Sequence, residues 1–280
     1  MKCFHHNDLD GYCSGAIVKL AHPECECFEI NYDIPFPHDK IEKNEQVFVV
    51  DYSFSGKGND DFNKLLAKTQ YVTWIDHHKT SIEQHPDKAH LSGIRVDDKP
   101  AACELCWEHF FPGSVVPVAV KLLGDYDTWT FAYGTKTKEF QEGMKVLDHG
   151  PEAEVWKHIL STQPTVNEVI ARIRHDGIVC LVYKEQRSKA LMRAISFATE
   201  FEGYKAIACN VALANSQMFD SVSEDYDIML PFSFNGYIYT VSIYTLKPDI
   251  DCSEIAKKYG GGGHRQASGF QCDKLPFERT

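Results

Sequence analysis

Several acidic and imidazole side chains of this sequence follow directly after short apolar runs. Carboxylates that lie close together raise one another's pKa unless positive charge compensates them, and divalent cations supply that charge. A set of carboxylates and imidazoles without thiolates is typical of manganese or magnesium sites. The candidate metal ligands are His6, Asp8, Asp10, Asp51, His77, Asp125 and Asp127. They suffice for two ions that share one carboxylate, an arrangement used in phosphoryl transfer.

The elements that must position these side chains alternate between strand and helix. Strands are predicted over "KCFHH", "CFEINY", "QVFVVDYSF" and "YVTWIDHH". Helices are predicted over "YCSGAIVKLAH", "DFNKLLAKT", "AACELCWEHFF" and "PVAVKLLGDYDTW". The alternation predicts an α/β fold with a parallel sheet. Because ligands bind where the carboxyl ends of parallel strands meet, we expect the candidate ligands to converge at that edge.

The pattern changes twice further along the chain. Residues 151–201 are mostly helical in pattern and predict a helical linker after a metal-binding catalytic domain at 1–150. Residues 202–280 hold three β-rich runs, a short helical run "SEIAKKY" and the glycine-rich stretch "GGGGHRQASGF". They predict a smaller α/β domain that binds substrate.

Bulk composition excludes several classes of function. The formal net charge of −11 over 280 residues disfavours stable binding of long duplex nucleic acid, because such binding requires Lys and Arg to neutralise phosphates. No apolar run approaches the ~18 residues of a membrane helix. The N-terminus "MKCFHHND" has no apolar segment typical of a secretory signal. We therefore expect a cytoplasmic protein without a membrane partner, and leave open whether it forms a homodimer.

The chain has ten cysteines, and two close pairs raise the alternative of a zinc module. "CEC" holds Cys25 and Cys27, and "CELC" holds Cys103 and Cys106. Neither pair has a matched second pair at the spacing of a zinc site. We expect reduced cysteines in a reducing compartment.

The motifs together resemble a known family. "HNDLDG", "VVDYSF", "WIDHHKT" and "LLGDYDTW", in this order, are similar to the four motifs of the DHH phosphoesterase superfamily. "YGGGGHRQASGF" resembles the signature of the DHH-associated C-terminal domain. The resemblance covers residues 6 to 270, which is nearly the whole chain.

The resemblance implies a role for each candidate residue. Asp51 would bridge two Mn²⁺ ions, with Mg²⁺ or Co²⁺ as alternatives, and His77 would be a ligand. His78 would contact the substrate phosphate or the second ion, and His78, Asp76 and Asp51 are the predicted catalytic residues. Two ambiguities remain: His5 rivals His6 in the first motif, and Asp125 is preferred to Asp127 in the fourth.

The glycine-rich signature is predicted to bind the substrate. Consecutive glycines allow backbone N–H groups to face an anion. The predicted substrate-binding residues are Gly261, Gly262, Gly263, His264, Arg265 and Tyr244. Where many relatives carry Ser-Leu-Arg-Ser, this chain has Ser-Ile-Tyr-Thr at 242–245, so that Tyr244 replaces an arginine and is able to stack on a base.

These features predict a manganese-dependent phosphoesterase acting on short oligonucleotides or small nucleotide phosphates by a two-metal mechanism. The alternatives within the enzyme class are a cyclic or linear dinucleotide phosphodiesterase, a RecJ-like single-strand exonuclease, and a polyphosphate or pyrophosphate hydrolase. Outside that class, the alternatives are a catalytically inactive nucleotide sensor and the cysteine-based zinc module.

Overall fold

The computed structural model describes residues 1–32, 34–54, 58–97, 99–161, 163–222, 224–263 and 265–280, without the side chains of residues 58, 59 and 80. The chain divides into two compact units, Met1–Leu181 and Val182–Thr280. Each unit has its own hydrophobic core. None of the helices in the described part of the chain combines the length and the apolar character needed to cross a membrane.

The first unit is built on a four-stranded sheet. Its strands are β1 Lys2–His6, β2 Glu26–Ile30, β3 Val47–Val50 and β4 Val72–Ile75. All neighbouring strands are parallel, and their order is β2-β1-β3-β4. Each of the four predicted strands is present. β2 lies on one side of β1, and the chain then crosses to the other side to form β3. The sheet therefore has a topological switch point beside β1.

Helices surround this sheet in the first unit. They are α1 Leu9–Ala21, α2 Gly58–Lys68, α3 Lys79–Gln84, α4 Ala102–Phe110, α5 Val118–Asp127, α6 Thr135–Met144 and α7 Glu154–Ile159. Every residue of β3 and β4 is buried, which explains why "VFVV" is a continuous apolar run and why "VTWI" is interrupted only by Thr73 rather than alternating. The larger core cluster packs α1, α4 and α5 against the sheet.

A single long helix, α8 Val166–Ile195, contains the boundary between the two units. Its interior glycine is required by close packing: a Cβ on Gly177 would lie 1.7 Å from the backbone oxygen of Glu139 in α6. Gly143 in α6 faces the same restriction, because its Cβ would lie 1.9 Å from the oxygen of Ile173. The two glycines allow the backbones of α6 and α8 to touch.

The helical pattern ends earlier than predicted. Residues 151–201 were expected to be a helical linker, but α8 ends at Ile195 and Ser196–Phe201 form strand β5. β5 pairs antiparallel with β6 Tyr204–Asn210 through a two-residue turn. Glu202 and Gly203 both have positive φ, 53° and 82°, as a tight hairpin turn requires. The turn places Phe201 in the core of the second unit.

In its described residues, the second unit combines a six-stranded mixed sheet with the end of α8 and one further α-helix. The remaining strands are β7 Ile228–Phe234, β8 Tyr239–Tyr244, β9 Gly262–Gly263 and β10 Ala267–Cys272, and the helix is α9 Cys252–Lys257. The order is β5-β6-β7-β8-β10-β9, with β6 and β7 parallel and the other pairs antiparallel. The predicted β-rich runs and the short helix are all present, so the α/β fold is confirmed in both units.

Candidate active site

The predicted ligands lie at the carboxyl edge of the parallel sheet. β1 ends at His6, Asp51 follows the last residue of β3, and Asp76 follows the last residue of β4. Asp51 and Asp76 continue the backbone pairing of the strands, since the N–H of Asp51 donates to the oxygen of Ile75 over 3.0 Å. Three separate segments of the chain therefore meet beside the switch point.

The turn after β1 is shaped by capping and by a glycine. Asp8 is the N-cap of α1, and its Oδ1 accepts a hydrogen bond from the N–H of Gly11 over 2.9 Å. Its Oδ2 lies 2.8 Å from Nδ1 of His6. Gly11 passes so close to β1 that a Cβ would lie 2.3 Å from the backbone oxygen of His6. The "HNDLDG" motif thus holds an imidazole and a carboxylate side by side.

Asp51 occupies the centre of the site. It is only 1% exposed, and its backbone has the left-handed conformation, with φ 54°, which few residues other than glycine adopt. Oδ2 lies 4.0 Å from Nδ1 of His6, and Oδ1 lies 3.5 Å from Nε2 of His77. Oδ2 has no hydrogen-bond partner among the described residues although it is buried. One carboxylate therefore faces two different groups of side chains.

The Asp-His-His turn after β4 is organised by its aspartate. Oδ1 of the buried Asp76 accepts hydrogen bonds from the backbone N–H groups of His77 and His78, over 2.9 and 3.2 Å. The same oxygen lies 2.7 Å from Nδ1 of His78. Because that contact places the Nδ1 proton between the ring and the carboxylate, Nε2 of His78 is left for other partners. Asp76 orients His78 and belongs to none of the groups of potential ligands found among the described residues.

Asp10 links the site to a second helix. Its two carboxylate oxygens accept the backbone N–H groups of Ala102 and Cys103, over 2.9 and 2.8 Å, at the start of α4. A carboxylate is favourable at a helix N-terminus because it satisfies backbone donors there and faces the positive end of the helix dipole. Oδ2 of Asp10 also lies 3.8 Å from Nε2 of His77.

The structure brings Asp127, rather than the preferred Asp125, to the site. Oδ2 of Asp127 lies 3.2 Å from Nε2 of His77. The carboxylate of Asp125 points into the next loop, where it accepts the N–H groups of Ala132 and Tyr133 and the hydroxyl of Thr137. Asp125 is absent from the ligand groups of the described residues, which include Asp127.

The structure also distinguishes His5 from His6, the two candidate residues of the first motif. His6 lies beside Asp8 and Asp51, whereas the buried His5 forms a contact of 2.9 Å between its Nδ1 and the backbone oxygen of His6. Burial lowers the pKa of His5. The structure therefore brings His6 to the site. Tyr32, which the sequence patterns did not single out, packs its ring 5.1 Å from that of His6 and follows the end of β2.

Three overlapping groups of side chains have ligand atoms within 4.8 Å of one another. They are His6, Asp8 and Asp51; Asp10, His77 and Asp127; and Asp51, His77 and His78. Burial raises the pKa of Asp51 well above its ordinary value, and the charges of Asp10 and Asp8 raise it further. Burial and the charge of Asp10 likewise raise the pKa of Asp127, although His77 opposes them.

In the group of His6, Asp8 and Asp51, the imidazole of His6 compensates the charge of Asp8. Burial alone would raise the pKa of Asp8, but the hydrogen bond and charge of His6 outweigh it and hold that pKa at about 2. Burial lowers the pKa of His6, but the hydrogen bonds and charges of its neighbours, led by Asp8, together outweigh burial and leave the pKa raised. The site as a whole has more buried negative charge than its imidazoles compensate.

Divalent cations fit this donor set. The ligand atoms are carboxylate oxygens and imidazole nitrogens, which suit manganese and magnesium. The buried and unpartnered Oδ2 of Asp51 is the kind of atom that a cation satisfies. His6, Asp8 and Asp51 can hold one ion, and Asp10, Asp51, His77 and Asp127 a second.

Comparison with known proteins agrees with this geometry. The model of the DHH family N-terminal domain matches residues 3–125. The matched segment is a domain of the DHH family, and the comparisons together support the DHH superfamily for this chain. Members of this family are metal-dependent phosphoester hydrolases. Its sequence is 24% identical over 301 residues to oligoribonuclease NrnB of Bacillus subtilis, an alignment that covers 98% of this chain and 73% of that protein.

Solved structures of low identity share the DHH fold. RecJ from Thermus thermophilus, solved with Mn²⁺, has a TM-score of 0.55 and 13% identity over 97% of this chain and 49% of its own. The pGpG-specific phosphodiesterase PggH from Vibrio cholerae has a TM-score of 0.53 and 11% identity over 97% of this chain and 93% of its own. At these identities the likeness concerns the fold.

The glycine-rich signature is engaged mostly in packing. The N–H of Gly261 donates to the oxygen of Ala256 and caps α9, so it is not free to face an anion. A Cβ on Gly261 would lie 2.1 Å from the oxygen of Gly269, which explains the glycine by close packing. Gly262 and Gly263 are exposed and pair with β10. His264 lies outside the described residues.

Arg265 and Tyr244 also have partners within the second unit. Nη2 of Arg265 donates to the backbone oxygen of Pro248 over 2.9 Å, and Nη1 lies 3.7 Å from Oδ2 of Asp251. The hydroxyl of Tyr244 donates to the oxygen of Ala214 over 3.2 Å, and Tyr244 is partly buried. Tyr244 is the register partner of Ala267 on β10, which follows the signature loop.

The cysteine pairs have no metal-site geometry. All ten cysteines are free. Burial raises the pKa of Cys103 and Cys106 well above the ordinary value, which disfavours the thiolate that zinc requires. Among the described residues, no group of potential ligands contains a cysteine. The zinc-module alternative has no support in the described part of the chain.

Proposed function

We propose that this chain is a manganese-dependent phosphoesterase that hydrolyses short oligonucleotides or small nucleotide phosphates in the cytoplasm. The observation that carries the proposal is the position of Asp51, whose two oxygens face the His6 group and the His77 group. A shared carboxylate is how proteins hold two ions for phosphoryl transfer. The similarity to an oligoribonuclease over nearly the whole chain favours short RNA as substrate.

Two ions would be held by the two groups already described. The first group is His6, Asp8 and Asp51; the second is Asp10, Asp51, His77 and Asp127. When bound, such ions lower the pKa of a water molecule toward neutrality and neutralise charge on the phosphate. Manganese is favoured over Mg²⁺ because imidazole nitrogens accompany the carboxylates, and Co²⁺ stays an alternative.

The protein's own side chains bind and orient the substrate. His78, which Asp76 orients through Nδ1, donates in its imidazolium form from Nε2 to a phosphate oxygen and stabilises the negative charge that develops there. The buried Asp51 and Asp10 keep their oxygens in fixed directions, because the left-handed backbone of Asp51 and the α4 amides on Asp10 restrain them. Asp76 is assigned a positioning role rather than a catalytic one.

The size of the substrate follows from charge. A net charge of −11 repels long polyanions unless a basic groove compensates it. The second unit contributes substrate binding through Gly262, Gly263 and Tyr244, as the signature suggests. The N–H of Gly261 and the guanidinium of Arg265 are left out of this assignment because their donors bond within their own unit, whereas Tyr244 would bind through its ring rather than its hydroxyl.

The test is a product assay with Mn²⁺ on four substrates offered separately. They are a 5′-labelled RNA dinucleotide, a long RNA single strand, a cyclic dinucleotide and 3′-phosphoadenosine 5′-phosphate. Hydrolysis confined to the smallest substrates would support the proposal. Efficient digestion of the long strand would replace it by a RecJ-like exonuclease.

An Asp51→Asn variant tests whether any observed hydrolysis depends on the proposed metal centre. It should lose turnover on every substrate while its circular dichroism stays that of the unchanged protein. A protein that binds nucleotide but hydrolyses none of the four, with Mn²⁺ bound, would instead be an inactive sensor. All proposed ligand positions carry a ligand side chain, which argues against that alternative.

A further inference from the structure

An exposed aromatic loop follows the proposed metal ligand Asp127. We define the aromatic loop as Thr128–Tyr133, the segment between the end of α5 and the start of α6. It carries Trp129, Phe131 and Tyr133 within five residues. Trp129 is 48% exposed, whereas the other three tryptophans are buried. Large aromatic rings are rarely left in water beside a catalytic site without a partner.

The backbone of the aromatic loop adopts an unfavourable conformation. Trp129 and Phe131 have φ of 52° and 53°, in the left-handed region that bulky residues rarely adopt. Such strain persists where surrounding contacts enforce it, and it concentrates at functional sites. The loop is therefore held in a specific shape rather than relaxed.

Asp125 supplies the contacts that enforce this shape. Its backbone oxygen accepts the N–H of Thr130 over 3.0 Å, and its carboxylate accepts the N–H of Ala132 over 2.7 Å. The carboxylate also bonds to Tyr133 and to Thr137 of α6. The two aspartates of "GDYD" thus divide their tasks: Asp127 faces His77, and Asp125 holds the loop.

The rings form a cluster with cations around it. The ring centroids of Trp129 and Phe131 are 4.8 Å apart, and those of Tyr126 and Trp129 are 5.4 Å apart. Nζ of Lys138 lies 5.2 Å from the centre of the Phe131 ring. Nζ of Lys99 donates to the hydroxyl of Thr130 over 2.7 Å. The surface therefore combines flat apolar rings with positive charge.

We propose that the aromatic loop is a base-stacking subsite, in which the Trp129 ring binds a nucleobase of the substrate. Trp129 is two residues from Asp127, so their α-carbons are at most about 7 Å apart, which is within one nucleotide of a phosphate at the metal ligands. Stacking on an aromatic ring accepts any base, and nearby amines attract phosphates. The inference rests on the proposed function, and Asp125 is a positioning residue for it.

Kinetics of Trp129→Ala provide the first test. Stacking contributes enough that KM for an RNA dinucleotide should rise by about 5- to 150-fold, with kcat little changed. A dinucleotide analogue lacking both bases should be hydrolysed equally by both proteins, and Trp129→Phe should restore most of the lost affinity. The matched control is Tyr71→Ala, since Tyr71 is 54% exposed and precedes β4 at the opposite edge of the sheet. An unchanged KM in Trp129→Ala, or an equal loss on the base-free analogue, would overturn the proposal.

Fluorescence quenching provides a test that needs no turnover. Because Trp129 is the exposed tryptophan, acrylamide should quench mainly its emission. With Mn²⁺ present, an RNA dinucleotide with a non-hydrolysable phosphonate linkage should protect Trp129 of the unchanged protein from acrylamide, whereas ribose 5-phosphate should not. Protection would support the subsite even if no substrate were hydrolysed, so its outcome is distinct from that of the proposed function. Equal quenching with and without the dinucleotide would refute it.

Discussion

Replacing Asp51 by asparagine should stabilise the metal-free protein while it destroys the metal centre. Burial and neighbouring carboxylates raise the pKa of Asp51, so that folding at neutral pH either places an uncompensated charge in the interior or takes up a proton. Asparagine has nearly the same shape and no charge. We therefore expect Asp51→Asn to melt at a higher temperature than the unchanged protein when no metal is present.

The size of this effect follows from distances in the site. Ligand oxygens of Asp8 and Asp51 lie within 4.8 Å of each other. Two unit charges at that distance repel by about 3.5 kcal/mol at an effective dielectric constant of about 20. Since the Asp8 carboxylate is partly exposed and His6 compensates it, we take roughly half, or about 2 kcal/mol. For a unit of 181 residues this corresponds to about 4 to 8 °C.

The effect has a definite dependence on pH. A carboxyl group whose folded pKa is raised contributes stability that is fully present below its unfolded value of 3.8 and is lost as the pH rises through the folded pKa. The difference in melting temperature between Asp51→Asn and the unchanged protein should therefore be small near about pH 4 and grow toward neutrality.

Differential scanning fluorimetry with and without Mn²⁺ is the assay. At about 100 times its Kd, a metal ion stabilises the unchanged protein by about 2.7 kcal/mol, and the variant should lose most of this gain. The order of the two melting temperatures should therefore reverse when Mn²⁺ is added. The exposed Asp39, replaced by asparagine, is the matched control. A metal-free variant less stable than the unchanged protein at every pH, or one equally stabilised by Mn²⁺, would refute the reasoning.

Three further predictions concern neighbouring residues. Asp127→Asn should lower turnover roughly 100-fold or more, and it should not destabilise the metal-free protein, because burial raises the pKa of Asp127 as it does that of Asp51. Asp125→Asn should instead lower the free energy of unfolding by about 2 kcal/mol, because it weakens hydrogen bonds to a charged acceptor. Equal stabilities of the two variants in a urea titration would contradict this division. Gly11→Ala should destabilise the first unit by about 1–3 kcal/mol in the same titration, because its Cβ would lie 2.3 Å from the oxygen of His6. The control is Gly150→Ala, whose Cβ would have no contact nearer than 3.7 Å and which should change the stability little. The raised pKa of His6 contributes stability to the metal-free protein below 6.5, and this is lost as the pH rises through the folded pKa. Mn²⁺ must displace that proton, so calorimetry should show weaker binding with falling pH, and His6→Ala should flatten this slope.

The strands and the positions of the candidate ligands at their ends were predictable because both depend on local pattern. "VFVV" is apolar at every position and "VTWI" at every position but Thr73, as is typical of strands buried on both faces, and Asp51 and Asp76 follow them directly. Parallel topology then brings their carboxyl ends together whatever the details of packing. The resemblance implied that two ions share Asp51. The distances from the Asp51 oxygens to the rings of His6 and His77 are consistent with that role.

The choice between Asp125 and Asp127 depended on packing that the sequence does not display. Both residues lie in the last turn of α5, and either could face the sheet edge. The loop after α5 has backbone donors at residues 132 and 133 that need an acceptor, and Asp125 is the nearer one. The N–H of Gly261 was predicted to bind the substrate, but it caps α9 instead, because the oxygen of Ala256 also needs a donor.

The end of α8 at Ile195 was equally difficult to predict from the sequence. "ISFATEF" continues a helical run in composition, and the turn that reverses the chain contains Glu202, a residue not typical of such turns. Only pairing with the distant β6 makes the strand favourable, and a local pattern does not reveal that pairing.

The double hydrogen bond from α4 to Asp10 makes two backbone amides into reporters of the metal centre. The N–H groups of Ala102 and Cys103 each donate to an oxygen of the carboxylate that is proposed to hold the second ion. Any charge drawn from that carboxylate toward a cation weakens both hydrogen bonds and moves their amide proton resonances upfield. In a ¹⁵N-labelled sample, these two signals would follow occupancy of the second position without a probe, a substrate or a mutation.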